Sequence, residues 1–290
     1  MRVGAIFPQM DGALDPRAMV AWIAGVDELG FDYVLVYEHI LGVDDPSRVD
    51  SPYMTADTPF HEPLTLIAYL AAVAPRLGFA TGVLVLPLRQ TALVAKQAAA
   101  VDILSGGGFR LGVGVGGNPL EFEGLGQDFT RRGRRCDEQI ALLRRLWTEP
   151  IVEFSGEFDR IDRAGINPRP VQQPIPVWVG GDSAAAMRRT ALLGDGWMPH
   201  GRPGDEFAAR VSALHDLATA TGRDPGEIGV EGRLSLSMVP PGQRAQEFER
   251  WRTMPGVTHL GIDTHRLGMR GGERHLNALA GFVEEVGGLR

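Results

Sequence analysis

His39 is the first residue of the chain with an obvious capacity to move a proton. It follows the apolar run YVLVYE at 33–38, and an imidazole titrating near neutrality suits general acid–base work. A lone histidine is more often structural than functional; this one gains weight from standing just past a strand candidate. The segment GGDSAAAMRRT at 180–190 offers a different chemistry. Gly180 and Gly181 leave an apolar run, and Asp182 or Ser183 can cap the helix that the alanines begin. The free N–H groups of such a helix start favour a phosphate, although a plain strand-to-helix turn would use the same residues. The string GVGVGG at 112–117 satisfies G-x-G-x-x-G through Gly112, Gly114 and Gly117. As a dinucleotide fingerprint it is weak, because its glycines lie inside a strand candidate and Asn118-Pro119 follows them. Such a strand does let a flat ligand approach bare backbone.

One glycine is out of place. ATGVLVLP at 80–87 reads as a buried strand with Gly82 set into it, and glycine weakens a strand by about 0.5–1 kcal/mol relative to alanine. Other candidates carry less. His61 beside Glu62 marks a helix start, where capping accounts for both, and His200 ends the run DGWMPH at 195–200. Arg131, Arg132, Arg134 and Arg135 begin a helix, where the dipole disfavours cations, so they read as a solvated or intersubunit face. Cys136, the single cysteine, reads as a small apolar residue on a helix. No H-E-x-x-H, C-x-x-C, P-loop or G-x-S-x-G spacing occurs, so neither a metal site nor those nucleophile motifs are expected.

The elements that must position these residues alternate along the chain. Strand candidates are 3–8, 33–38, 77–87, 109–116, 175–180, 195–200, 228–238 and 257–264. Helix candidates are 15–30, 63–75, 91–104, 130–147, 183–193, 203–221, 243–253 and 272–286. Eight strands each followed by a helix, with apolar rather than alternating strands, predict a parallel sheet buried on both faces. At 290 residues the closed (β/α)8 barrel of the α/β class satisfies this, with 1–290 as a single domain. Two stretches break the rhythm: a long loop after strand two at 41–61, expected to act as a lid, and a hairpin-like insertion at 150–174 before strand five. In a barrel the residues past the C-terminal strand ends build the site. That rule selects His39, Gly82, Val83, Gly116, Gly117, Asn118, Gly180, Gly181, Asp182, Ser183, Trp197 and Met198.

The composition, 44% hydrophobic and 22% charged, is that of a soluble globular protein. A net charge of −7 argues against broad nucleic-acid affinity, and no run approaches the roughly 18 apolar residues of a membrane helix. The N-terminus MRVGAIFPQM reads as a first strand rather than a signal peptide; a cytoplasmic location is expected. Lys96 is the single lysine among 29 basic residues, a bias of composition rather than of binding.

Several phrases taken together resemble the bacterial luciferase-like superfamily. They are TGVLVLPLRQTALVAKQAAAVDILSGGGFRLGVGVGG at 81–117, GLGQDFTRRGRRCDEQIALLRRLW at 124–147, PIPVWVGGDS at 174–183 and GDGWMP at 194–199. The resemblance is strong over roughly residues 1–200 and weak over the last third. It implies a barrel that binds FMN or the deazaflavin coenzyme F420. It also implies a bulge at Gly82-Val83, often with a non-proline cis peptide, against which the ring rests. The cofactor phosphate would lie near Gly180 to Ser183, and His39 near the reacting face. Two departures stand out from the family's sugar-phosphate dehydrogenases: Val43 replaces a tryptophan, and Gly117-Asn118 stands where a glutamate acid follows strand four. Sugar-phosphate oxidation is therefore not expected. The F420-dependent branch is the closer likeness, with Arg202 and Arg169 as candidates for the acidic cofactor tail. The expectation is hydride transfer to or from a small organic substrate by a homodimer. The alternative is an FMN-dependent monooxygenase served by a separate reductase, and the third reading is a flavin-binding protein without turnover.

Overall fold

The computed structural model describes residues 1–11, 15–45, 47 and 55–289. Its strands are β1 (Arg2–Ile6), β2 (Tyr33–Val36), β3 (Gly78–Thr81), β4 (Leu84–Val85), β5 (Phe109–Gly114), β6 (Val152–Ser155), β7 (Arg160–Ala164), β8 (Val177–Gly180), β9 (Gly196–Met198), β10 (Gly229–Ser235) and β11 (Val257–Asp263). Its helices are α1 (Pro16–Glu28), α2 (Pro63–Val73), α3 (Thr91–Leu104), α4 (Pro119–Gly124), α5 (Arg132–Thr148), α6 (Ala184–Leu193), α7 (Asp205–Ala220), α8 (Arg244–Arg252) and α9 (Gly272–Glu285). β3 and β4 are two halves of one stave. With that stave counted once, eight parallel staves close into a barrel: β1 pairs with both β2 and β11, and β5 pairs with β3, β4 and β8.

Local sequence explains where the helices begin and which face they bury. Asp15 accepts hydrogen bonds from the Arg17 and Ala18 N–H groups, and Pro16 opens α1, satisfying donors that a helix start leaves free. Met19, Trp22, Ile23 and Val26 then fall on one buried stripe. On α5 the stripe is Cys136, Ile140, Leu143 and Trp147. Burial pushes the Cys136 thiol up to about 12, so it is an apolar core group and not a nucleophile.

The barrel interior is plugged. The Arg110 guanidinium lies 4.6 Å from the Tyr33 ring centre and 4.3 Å from that of Trp178. It reaches Glu231 at 3.2 Å, and Glu231 also accepts the Tyr33 hydroxyl at 2.8 Å. His259 packs edge-on against Trp178.

The insertion is a hairpin as expected, β6 antiparallel to β7. Glu138 on α5 holds its turn by accepting the N–H groups of Glu157, Phe158 and Asp159. Of the 41–61 loop, residues 46 and 48–54 lie outside the described residues. Its two ends meet at a bridge between Val43 and Thr55.

Candidate active site at the barrel mouth

The third strand candidate, 77–87, carries the bulge that the resemblance implies at Gly82-Val83. The stave is interrupted there, and the Gly82-Val83 peptide bond is cis. A Cβ on Gly82 would fall inside the Leu35 isobutyl group, which explains the glycine sterically. The break also explains other glycines. A Cβ on Gly114 or Gly180 would meet the Val83 side chain, and one on Gly112 would meet the Thr81 carbonyl. Gly112 and Gly114 thus make room for the third stave rather than for a dinucleotide. Beyond the break the chain is pinned by Glu38, which accepts the Val85 N–H at 2.5 Å and pairs with Arg89. Burial raises the Glu38 pKa against the opposing pull of Arg89.

Gly82 lines a central pocket of about 60 Å³ together with Leu35, Tyr37, Met198 and Arg233. His200 and Arg233 also line an adjoining cavity of about 460 Å³, which Arg202, Met238 and Asp263 share. His39 lies elsewhere on the rim: it lines a cavity of about 530 Å³ with Phe60, Arg89 and Gln127. Its ring meets the edge of Phe60 at 4.8 Å between centres.

After β5, Gly116 takes φ +71, a left-handed conformation that favours glycine. Arg132 reaches its carbonyl at 3.3 Å and lies over the Phe129 ring at 3.7 Å. That arginine cluster is therefore partly a clasp on the mouth loop: Arg131 and Arg134 pair with Glu157, and Arg135 reaches the Arg89 carbonyl. Gly117 is exposed, with open space where a Cβ would stand. Asn118, 2% exposed, caps α4 by accepting the Leu120 N–H. That cap starts the helix that carries Glu121 back toward β2. Glu121 is buried; one carboxylate oxygen accepts the N–H groups of Ile40 at 2.8 Å and Leu41 at 3.2 Å. The other stands 3.6 Å from His39 Nδ1. Burial pushes the Glu121 pKa up, but the imidazole and the two N–H donors prevail and hold it below its ordinary value.

Past β8, Ser183 is the cap of α6, accepting the Ala186 N–H at 3.1 Å. Asp182 does something else: it takes the His200 N–H and ring Nδ1 and pairs with Arg210. Gly180 ends the strand, and Gly181, at φ +112, donates to the Met198 carbonyl at 3.3 Å. Met198 faces the central pocket, whereas Trp197 does not face a ligand. It is fully buried and donates its indole N–H to the Gly181 carbonyl at 2.9 Å, so it braces the turn from behind. Arg169 is also corrected. It bonds the carbonyl of Thr148, the last residue of α5, at the barrel end opposite the mouth, because α5 starts at the mouth and runs away from it.

Sequence reasoning missed the groups on β10, β11 and the end of β2. Arg233 pairs with Asp263 and lies 5.0 Å over the Tyr37 ring. Asp263 orients His265 through Nδ1 at 2.7 Å, and His265 stacks on Tyr37 at 5.7 Å. Burial raises the Asp263 pKa, but His265 and Arg233 outweigh it and hold the carboxyl well below its usual range. The Tyr37 hydroxyl and His265 Nε2 are buried without a hydrogen-bond partner, which marks a place for a bound polar group. Their only signal in sequence was position, at or just past strand ends. Among the described residues no group of His, Cys, Asp and Glu could hold a metal.

A family model described as luciferase-like monooxygenase matches residues 3–258. An uncharacterized protein of Mycobacterium tuberculosis is 45% identical over 175 residues, 59% of each chain, so the match spans about three fifths of that relative. An F420-dependent glucose-6-phosphate dehydrogenase of Segniliparus rotundus is 31% identical over 236 residues, 78% of this chain and 66% of its own. An FMNH2-dependent dimethylsulfone monooxygenase of Pseudomonas putida is 31% identical over 166 residues, 56% and 46% of the two chains. Among solved structures, an F420-dependent secondary alcohol dehydrogenase with an F420-acetone adduct superposes with a TM-score of 0.77 over 98% of both chains. At 15% identity that likeness speaks for the fold alone.

Proposed function

The chain belongs to the luciferase-like monooxygenase family, and from that membership we propose an oxidoreductase that moves a hydride between coenzyme F420 and a small organic substrate. The mouth residues suit a flat tricyclic ring with a phosphate-bearing tail, the ring reaching from the central pocket into the adjoining cavity of about 460 Å³. Gly82 leaves bare backbone on the wall of the central pocket, and Val83 would back the ring. The first N–H groups of α6, next to Gly180, Gly181 and Ser183, suit the phosphate. Arg202 on the adjoining cavity suits an anionic tail. When bound, such a cofactor supplies a carbon that accepts or returns a hydride. The chain's own part is to hold substrate against it and to move the accompanying proton.

The observation that carries the reading is the Glu121–His39 contact on the mouth rim, with His39 two residues along the chain from Tyr37 on the central pocket wall, an acid–base group suited to interconverting a hydroxyl and a carbonyl. The similarity to an F420-dependent dehydrogenase over 78% of this chain supports it. The competing reading, an FMN-dependent monooxygenase with a partner reductase, draws on the shorter match to the sulfone enzyme. A cytoplasmic homodimer is proposed with either, on the family resemblance; among the described residues no helix is long and apolar enough to cross a membrane. Fluorescence titration of the purified protein with F420 and with FMN tests the choice. Micromolar binding of F420 with FMN much weaker is expected; the reverse order moves the monooxygenase to first place, and binding of neither undoes the site.

A further inference from the structure

His39 has two ring nitrogens in different surroundings. Nδ1 is buried, without a formed hydrogen bond, and 3.6 Å from Glu121. The ring as a whole is 22% exposed and lines two cavities, so Nε2 is the nitrogen a ligand would meet. Glu121 is anchored more firmly than a surface carboxylate. It is 2% exposed, sits one turn beyond the Asn118 cap, and is fixed by the Ile40 and Leu41 N–H groups. An ionised carboxylate offers only acceptors. The neutral imidazole therefore gains by placing its proton on Nδ1, facing Glu121, and keeping its lone pair on Nε2. A separation of 3.6 Å is longer than a hydrogen bond, but such contacts commonly tighten when substrate binds.

We infer that Glu121 is a positioning residue: it fixes the Nδ1–H tautomer of His39 and so presents a basic Nε2 to the substrate cavity. This rests on the hydride-transfer reading for its consequence. With a bound deazaflavin to supply the hydride acceptor for an alcohol carbon, Nε2 would take the hydroxyl proton as the carbonyl forms. The reverse reaction returns the proton.

Glu121→Gln tests this cleanly. The amide oxygen can still accept from Ile40 and Leu41, but its NH2 now faces Nδ1 and demands an acceptor there, which reverses the tautomer. Nitrogen-15 NMR of histidine-labelled protein without cofactor, with His39→Ala to assign the signal, is expected to show Nδ1–H in the wild type and Nε2–H in E121Q. In parallel, diethyl pyrocarbonate, which acylates an unprotonated imidazole nitrogen, should modify His39 about tenfold more slowly in E121Q, the change that one charged hydrogen bond commands. Nε2–H in the wild type overturns the inference, and needs no variant to be seen. An unchanged tautomer in E121Q removes Glu121 from the role. Because neither readout uses a cofactor, both stand apart from the titration. A tautomer that reverses in a protein binding neither F420 nor FMN sinks the hydride reading and leaves the positioning role intact.

Discussion

His259 shows how one half-buried side chain sets a pH dependence. Burial and the neighbouring Arg110 lower its pKa from the ordinary 6.5 to about 2, so it stays neutral in the folded protein while the unfolded chain protonates it. A depressed value contributes stability that is fully present above the unfolded pKa and is lost as pH falls from there toward the folded one. Between pH 7 and pH 5 this residue should cost about 2 kcal/mol, at about 1.4 kcal/mol per pH unit once the unfolded side chain is charged. Urea denaturation of wild type and His259→Asn at the two pH values checks it; equal losses in both chains would refute the assignment. Legibility at this scale was uneven. His39 and Ser183 could be singled out because each stands within a few residues of the end of an apolar run. Glu121 could not, because its partner Ile40 lies 81 positions away in sequence and only folding brings α4 against the end of β2. Arg233 and Asp263 were equally silent, being polar residues within runs read simply as strands.

Among elements, the interrupted third stave carries the most. The sequence marked the odd glycine, and the resemblance placed a bulge there. Neither showed that Gly112, Gly114 and Gly180 on neighbouring staves are shaped by the same break, since their need for space comes from Val83 and Thr81. Gly82→Ala should destabilise the protein by about 1–3 kcal/mol, as overpacking does, because the new methyl contests the space of Leu35. Leu35→Ala alone leaves a cavity and costs about 2–5 kcal/mol. The double variant should cost clearly less than the sum, since each change relieves the other. Denaturation of the four proteins gives the coupling, and strict additivity would separate Gly82 from Leu35. Element order and the hairpin were readable because apolar runs and helical stripes are local; the position of Arg169 was not, because it depends on the direction in which α5 runs.

At the scale of the whole molecule, the Arg110–Glu231 pair joins β5 to β10 across the barrel interior. Arg110→Met alone should cost about 3–5 kcal/mol, because it leaves a buried carboxylate without its cation. Replacing Arg110, Glu231 and Tyr33 together by Met, Leu and Phe should recover most of that loss, since a packed apolar trio needs no compensating charge. If urea midpoints show the triple variant no better than the single one, the plug is held by shape and not by charge. Closure itself has a consequence in time. Arg2 pairs beside His259, so the first strand made waits for the last. At about 5–20 residues per second of synthesis, that wait is on the order of ten to fifty seconds. Throughout it β1 is a nascent strand with one edge still unpaired, and the emerging polypeptide must be kept from its neighbours until the final stave leaves the ribosome.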